Sequence, residues 1–223
     1  MANTTKIPVL VLASGGLDST VLMYSLAHDG YAVLGVSVQY GQRHGLRELV
    51  ALKSHPQFPL REISVDLTYD TSSLTNRDIP TPDLDRDHVP GNPSPKSYVP
   101  FRNLTMLSIA CGLAEDLGIS LVAFGAHRSD QYGYWDTSQK FVQALQRVVE
   151  LSRGIPIEIL APFAQLTKAE IVQKGLELGV PFERTWSCYD GQGPCGTCPT
   201  CRERQKAFES CEVKDPLLEL RDK

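Results

Sequence analysis

The stretch VLASGGLDST, residues 11–20, sets an apolar run against two adjacent glycines and resumes as Leu17-Asp18-Ser19-Thr20. Gly15 and Gly16 carry no Cβ, so main-chain N–H groups there can approach a bound group closely. Consecutive amides in such a turn form a concave anion site, and a following helix adds the positive end of its dipole. Ser14 and Ser19 add hydroxyl donors. The turn fits neither the dinucleotide pattern G-x-G-x-x-G nor the Walker pattern G-x-x-x-x-G-K-S/T. An ordinary strand-to-helix turn with Asp18 as N-cap is the competing reading. The strand before the turn and the helical pattern after it favour phosphate.

The run holding this turn, IPVLVLA (7–13), is the first of five β-rich apolar runs. The others are YAVLGVSVQY (31–40), LREISV (60–65), SLVAFGA (120–126) and IEILAPF (157–163). They lack the clean alternation of a half-exposed sheet and read as buried parallel strands. Helical patterns fall at 18–29, 42–54, 102–117, 136–152 and 167–178, with Gly30, Gly118 and Gly179 at C-terminal cap positions. This alternation predicts an α/β fold, an open doubly wound parallel sheet that binds ligands at the C-terminal ends of its strands. Residues 1–186 are expected to form that domain and 187–223 a small metal-binding segment. No internal repeat is found. The polar segment 66–100, with prolines at 80, 82, 90, 93, 95 and 100, shows no periodicity. So long a loop is expected to be either a mobile lid over the ligand edge or a floppy insertion.

At 223 residues and 42% hydrophobic content, the chain can bury one substantial core. No apolar stretch approaches the roughly 18 residues that span a bilayer, and the opening residues read as strand rather than signal peptide. No membrane partner is expected. A net charge of −4, from 26 acidic and 22 basic residues, disfavours a surface that grips a nucleic-acid backbone. Small-molecule chemistry is expected, without direct nucleic-acid binding.

CYDGQGPCGTCPTC (188–201) places Cys188, Cys195, Cys198 and Cys201 as C-x6-C-x2-C-x2-C. Four thiolates at this spacing suit a closed tetrahedral zinc site of structural type, with Gly191, Gly193 and Gly196 allowing tight turns. Iron–sulfur ligation uses similar spacing and stays open. Cysteine usage points to a reducing, cytoplasmic setting rather than a disulfide scaffold. Metal binding is expected to pin the C-terminal segment to the sheet, so that its removal lowers stability before it touches nucleotide chemistry. RERQK (202–206) reads as a solvated helix.

SGGLDS (14–19) resembles the PP-motif of the N-type ATP pyrophosphatases, which adenylate an oxygen and release pyrophosphate into the glycine turn. Combined with TWSCYDG (185–191) and CGTCPTCRER (195–204), the pattern resembles the QueC family of 7-cyano-7-deazaguanine synthases. YGQRHGLREL (40–49) with its Glu48, YVPFRN (98–103) and LTKAEIV (166–172) resemble further family segments. The likeness runs from about residue 7 to about residue 208, the proline-rich loop excepted. It implies a ligase acting on 7-carboxy-7-deazaguanine with ATP, Mg²⁺ and ammonia, through an acyl-adenylate and an amide to the nitrile, and a homodimer. ATP would be held by Leu12, Ser14, Gly15, Gly16, Leu17, Asp18 and Ser19. Catalysis would fall to Asp18, Ser19, Arg102 and Lys168, and substrate binding to Arg43, Arg102, Asp130, Tyr134 and Asp136. Arg43, Arg102 and Lys168 read alone are equally solvated surface cations. Lys168 at a helix start runs against the dipole preference for acids, which tilts it toward an anionic ligand.

Two departures from the family pattern stand out. Phe101 occupies a position that usually carries Gly. In GAHRSDQYGYWDTSQKF (125–141) the usual Pro-Asp-Cys-Arg with a nearby Glu is replaced by Trp135-Asp136-Thr137-Ser138 and Lys140. Asp130 and Asp136 suit the hydrogen-bonding face of a guanine-like ring, with Tyr134 and Trp135 as a stacking surface. Asp136 as a helix cap, with both aromatics as packing residues, is the structural alternative. His44 and His127 are structural residues or proton shuttles. The altered stretch also admits a relative that stops at the amide or passes the activated deazaguanine to another amine, such as a protein in a defence-associated pathway. A non-catalytic nucleotide sensor and a sulfur-transferring tRNA enzyme are weaker alternatives.

Overall fold

The computed structural model describes residues 6–83, 96–128 and 134–219. Five strands, β1 (Pro8–Leu12), β2 (Ala32–Gln39), β3 (Leu60–Ser64), β4 (Leu121–Phe124) and β5 (Glu158–Leu160), form one sheet in the order β3-β2-β1-β4-β5. Every neighbouring pair is parallel. Parallel pairing demands a crossover between strands, and helices covering both faces explain why the strands read as continuous apolar runs. All five strands, the four helical segments expected between them and the one expected after the last strand fall where the sequence places them.

The two faces of β1 bury different partners. Val9 and Val11 face α1 (Leu17–His28) and α5 (Lys168–Glu177), packing with Val21, Leu22, Ile171 and Val172. Leu10 faces α3 (Arg102–Leu117) and α4 (Gln139–Val149), packing with Leu107, Ala110, Phe141 and Leu145. Strand order reverses between β1 and β4, which opens a crevice at their C-terminal ends. The glycine turn lies there, since it joins β1 to α1. The short helix α2 (Gly45–Lys53) follows β2 and packs on the outer side of that turn.

The segment from 66 onward is not uniformly loose. Leu67, Leu74 and Val99 enter the core, Ser72 and Ser73 are buried, and Ser73 N–H donates to Lys96 C=O at 2.8 Å. Isolated apolar residues in a proline-rich run carry no period, which is why the sequence does not reveal their burial. Residues 84–95 lie outside the described residues.

The C-terminal helices α6 (Pro199–Ser210) and α7 (Pro216–Glu219) correct a second expectation. RERQK is helical but not solvated throughout, because Arg204 is only 2% exposed. Its Nε and Nη2 donate to the Asp215 carboxylate at 2.7 and 2.9 Å, Nη1 donates to Thr185 Oγ1 at 2.7 Å, and Nη2 also donates to Phe182 C=O at 3.0 Å. A two-pronged guanidinium–carboxylate contact with every other donor used is the arrangement in which burial of an ion pair is tolerated. Phe208, one turn on, meets Phe182 edge to face at 5.1 Å. Arg204→Ala should lower the free energy of unfolding by about 3–5 kcal/mol in denaturant titration, because Asp215 is left buried without its partner. A loss below about 1 kcal/mol would mean the pair is solvated.

Candidate active site

A cavity of about 240 Å³ opens at the C-terminal ends of β1, β2 and β4. Leu12, Ser14, Gly16, Leu17, Asp18 and Ser19 line it. Gly15 stands behind them, with φ +83° and the Cβ it lacks falling 2.2 Å from the Glu48 carbonyl oxygen of α2. Its conformation and its closeness to α2 both exclude a side chain. Gly16 is the N-cap of α1 and has no side-chain cap, so Asp18 is not the capping residue. The first helical bond runs from Thr20 N–H to Gly16 C=O, which leaves the amides of Leu17, Asp18 and Ser19 ahead of the ladder on the cavity wall. Gly16 N–H meets Ser14 Oγ at 3.1 Å, and Ser14 N–H meets Ser19 Oγ at 3.2 Å. Amides and hydroxyls converge at a helix N-terminus, the arrangement that takes phosphate oxygens.

At one end of the cavity Lys168 Nζ donates to Asp18 Oδ2 at 2.5 Å, reaching from the first position of α5. A capping box between Thr167 and Glu170 fixes that helix start. His127 Nε2 lies 3.3 Å from the same Nζ, and Glu203 Oε2 of α6 lies 3.6 Å from it. Burial pushes the Asp18 carboxyl up, but the charges of Lys168 and His127 and the Lys168 hydrogen bond outweigh it and hold the pKa below 3.8. Asp18 Oδ1 is buried and has no hydrogen-bond partner among the described residues. A buried carboxylate oxygen left open beside phosphate-directed amides is chemically suited to a hard divalent cation.

The other end is built by Arg102 and three tyrosines. Arg102 Nη1 donates to Tyr40 Oη at 3.2 Å, and its guanidinium lies 5.8 and 5.9 Å from the ring centres of Tyr40 and Tyr134. Burial works against the charge, while Tyr40, Tyr134 and Tyr189 favour it and win, so Arg102 stays cationic. Burial raises the Tyr40 phenol above its ordinary value, against the pull of Arg102. Glu48 also lines the cavity, accepting from Gln42 Nε2 at 3.1 Å.

Asp18, Ser19, Arg102, Lys168 and Tyr134 are thus brought together, as the sequence reading requires. Arg43 is not: its guanidinium donates to Thr81 Oγ1 and to the carbonyls of Asn76 and Ile79, holding the loop after β3. Asp136 is 2% exposed and does not line the cavity; its Oδ2 accepts from Asn103 N–H at 3.1 Å, in the first turn of α3. It caps the neighbouring helix rather than its own, which Ser138 caps through Phe141 N–H. Burial raises its pKa against that amide and Arg102. Asp130 lies outside the described residues. Trp135 is turned outward, its indole N–H on Tyr98 Oη at 2.9 Å. Tyr40, Glu48, Glu203 and Trp186 enter the site without an assigned role in the sequence reading. Tyr40 carries a signal in its place, at the C-terminal end of a strand beside the switch point, whereas Glu48, Trp186 and Glu203 stand inside family-like segments that name no role for them.

The two departures touch each other. Phe101 holds a left-handed φ of 56° at the N-cap of α3, a conformation that suits Gly and costs another residue about 1–2 kcal/mol. Its ring meets Trp135 edge-on at 5.4 Å, and Trp135 in turn meets Phe141 at 5.4 Å. A ring contact of this kind contributes about 0.5–1.5 kcal/mol, which offsets part of the backbone strain.

Beyond Trp186 the four cysteine sulfurs lie within 4.8 Å of one another and could hold a metal ion. Main-chain N–H groups of Asp190 and Cys195 reach Cys188 Sγ at 3.4 Å, and that of Cys198 reaches Cys195 Sγ at 3.3 Å. Such donors suit thiolate ligands.

The family profile described as "Queuosine biosynthesis protein QueC" matches residues 8–212. The chain belongs to the QueC family. Curated proteins named 7-cyano-7-deazaguanine synthase match over nearly the whole chain. That of Archaeoglobus fulgidus is 40% identical, covering 94% of this chain and 89% of its own. That of Caldicellulosiruptor bescii is 36% identical over 93% and 95%, and that of Methanosphaerula palustris 40% identical over 92% and 96%. Membership in this QueC family makes the chain an ATP-dependent carbon–nitrogen ligase. Among solved structures, the tRNA thiolase NcsA of Methanococcus maripaludis is similar in fold, with a TM-score of 0.51 and 14% identity over 94% of this chain and 66% of that one.

Two outcomes follow from the geometry of this QueC-family site. Gly15→Ala should destabilise the fold by more than about 1 kcal/mol, read as a fall in melting temperature, since the added Cβ meets both the left-handed φ and the Glu48 carbonyl. The depressed Asp18 pKa makes its stability contribution complete above pH 3.8 and lost as pH falls through the lower folded value. In acid unfolding, the gap between the wild type and Asp18→Asn should therefore close below pH 3.8; a gap constant with pH would mean Asp18 is not ionised in the fold.

Proposed function

We propose that this QueC-family chain converts 7-carboxy-7-deazaguanine to 7-cyano-7-deazaguanine with two ATP and one ammonia. The observation that carries the reading is one cavity with phosphate-directed amides and the Asp18–Lys168 pair at one end and a buried, charged Arg102 at the other. The curated relatives bearing the synthase name support the product.

In this reading the triphosphate lies against Leu12 and the turn from Ser14 to Ser19, with Lys168 turned to the phosphate that accumulates charge. Magnesium, when bound at the open Asp18 oxygen, would neutralise charge on the leaving pyrophosphate. Arg102 orients the substrate carboxylate, one oxygen of which attacks the α-phosphorus and expels pyrophosphate. Ammonia then attacks the acyl carbon, AMP leaves, and loss of a proton gives the amide. The amide oxygen attacks the α-phosphorus of a second ATP and expels its pyrophosphate, and departure of AMP with loss of the two N–H protons yields the nitrile. Stabilising charge with fixed donors in a water-poor cavity is worth more than the same contacts in bulk water. Glu48 joins Asp130 as a carboxylate for the N–H and amino donors of the ring, in place of Asp136, which caps α3. Tyr134 flanks the ring. Residues 1–186 form the nucleotide domain, and 187–223 the segment that holds zinc through its four cysteines. Among the described residues no helix is long and apolar enough to cross a membrane. The small-molecule substrates fit a cytoplasmic setting, and a homodimer remains part of the proposal.

The test is direct. The purified chain with 7-carboxy-7-deazaguanine, ATP, Mg²⁺ and ammonium should release AMP and form the nitrile by mass spectrometry. Lys168→Met should lower the rate of AMP release by about 10²–10³-fold. An amide end product or a conjugate would replace the nitrile assignment, and absence of AMP would remove the ligase reading for this substrate.

A further inference from the structure

The cysteine cluster and the glycine turn are distant in sequence yet joined through one residue. Trp186 is 8% exposed and lines the cavity. Its main-chain N–H donates to Gly15 C=O at 2.8 Å, and its indole N–H donates to Cys188 C=O at 2.8 Å. The side chain packs with Ala51, Cys188 and Cys198, and the Arg47 guanidinium lies 5.5 Å from the ring centre. Arg47 also holds the carbonyls of Gly191 and Gln192 at 3.2 and 3.0 Å, within the loop between the first two cysteines. From α6, Thr200 Oγ1 donates to Ser187 C=O at 2.6 Å and lies 3.4 Å from Cys198 Sγ. Ser187 and Thr200 line the cavity as well. The cluster is therefore built into the wall of the site.

The bond to Gly15 acts through peptide geometry. The Gly15 C=O and the Gly16 N–H belong to one planar trans unit and point in opposite directions. Holding the carbonyl toward Trp186 fixes the Gly16 N–H on the side of Ser14, whose Oγ it meets at 3.1 Å and which shares the cavity wall. With glycine on both sides, no Cβ opposes a flip of this unit. Ser14 Oγ holds the unit from within the turn, and Trp186 N–H holds it from outside.

We propose that Trp186 is a positioning residue for triphosphate binding. Its N–H locks the Gly15–Gly16 peptide in the phosphate-accepting orientation, and metal on Cys188, Cys195, Cys198 and Cys201 tightens nucleotide binding by fixing Trp186. The inference rests on the nucleotide reading of the cavity. It also departs from the sequence expectation that metal removal acts on stability first.

Isothermal titration with α,β-methylene-ATP and Mg²⁺, without the carboxylate substrate, tests it on zinc-loaded chain, chelator-stripped chain and zinc-loaded Trp186→Phe. Stripping should weaken the analogue about tenfold or more, and by linkage zinc affinity in the wild type should rise by the same factor when the analogue is present. Trp186→Phe loses the indole bond to Cys188 and should weaken the analogue about fivefold, with far-ultraviolet circular dichroism unchanged and the thiolate absorption of the cobalt form retained. A tryptophan that only fills space would lower the melting temperature and leave analogue affinity alone. Zinc affinity indifferent to the analogue overturns the proposal, whether or not the variant or the stripped chain keeps its fold; so does wild-type affinity in a folded Trp186→Phe. Failure of the loaded wild type to bind the analogue removes the nucleotide reading itself, and this inference with it.

Discussion

The site depends on how closely two backbones meet at Gly15. Where any other residue would carry its Cβ, the Glu48 carbonyl oxygen of α2 already stands, and the φ of +83° is one that a side chain resists. Because the turn is that tight, α1 starts directly beneath the end of β1 and presents its first amides to the crevice. The same contact brings α2 against the turn, and with it Glu48 and the Gln42 that holds it. Replacing this backbone contact with side-chain packing would push the helix start away from the switch point. The anion site would then lose its donors before any catalytic residue was altered.

Around that turn the charges are sorted by end. Asp18 and Lys168 neutralise one another, and Glu203 and His127 stand beside the ammonium, so little bare charge faces the phosphate end before ligand arrives. At the opposite end Arg102 is cradled by tyrosine rings and forms no ion pair with a carboxylate among the described residues. An acid paired directly to Arg102 would lower its pull on an anionic substrate; the phenols hold it in place and leave its charge available. Asp136 serves this end from behind, fixing the α3 helix start through Asn103 N–H.

The C-terminal segment is bound into the domain by two polar anchors of different kinds. Arg204 reaches through the interface to Asp215, Thr185 and the Phe182 carbonyl, and each of its contacts lies within the stretch that leads to and from the cysteines. Trp186 ties the start of that stretch to the glycine turn. Glu203, next to Arg204 on α6, reaches Lys168. A helix that reads as an appendage in the linear chain thereby supplies one wall of the QueC-family site.

What the sequence determined by itself was whatever depends on local order. Short apolar runs separated by helical periods settle a parallel α/β sheet, since only strands covered on both faces can be so uniformly apolar. Two glycines before Leu17-Asp18-Ser19 mark the anion turn, and four cysteines within fourteen residues mark the metal site. Tertiary structure decided the destination of each long polar side chain, because arginine and aspartate find partners by reach across the fold and not by spacing. Arg43 reads as a site or surface cation and Arg204 as part of a solvated helix; one holds the loop after β3 and the other is buried on Asp215. Asp136 carried no sign that it would cap a helix 33 residues earlier in the chain. Nor could a tryptophan between Thr185 and Ser187 announce a bond to Gly15, since main-chain hydrogen bonds between distant segments leave no trace in side-chain identity.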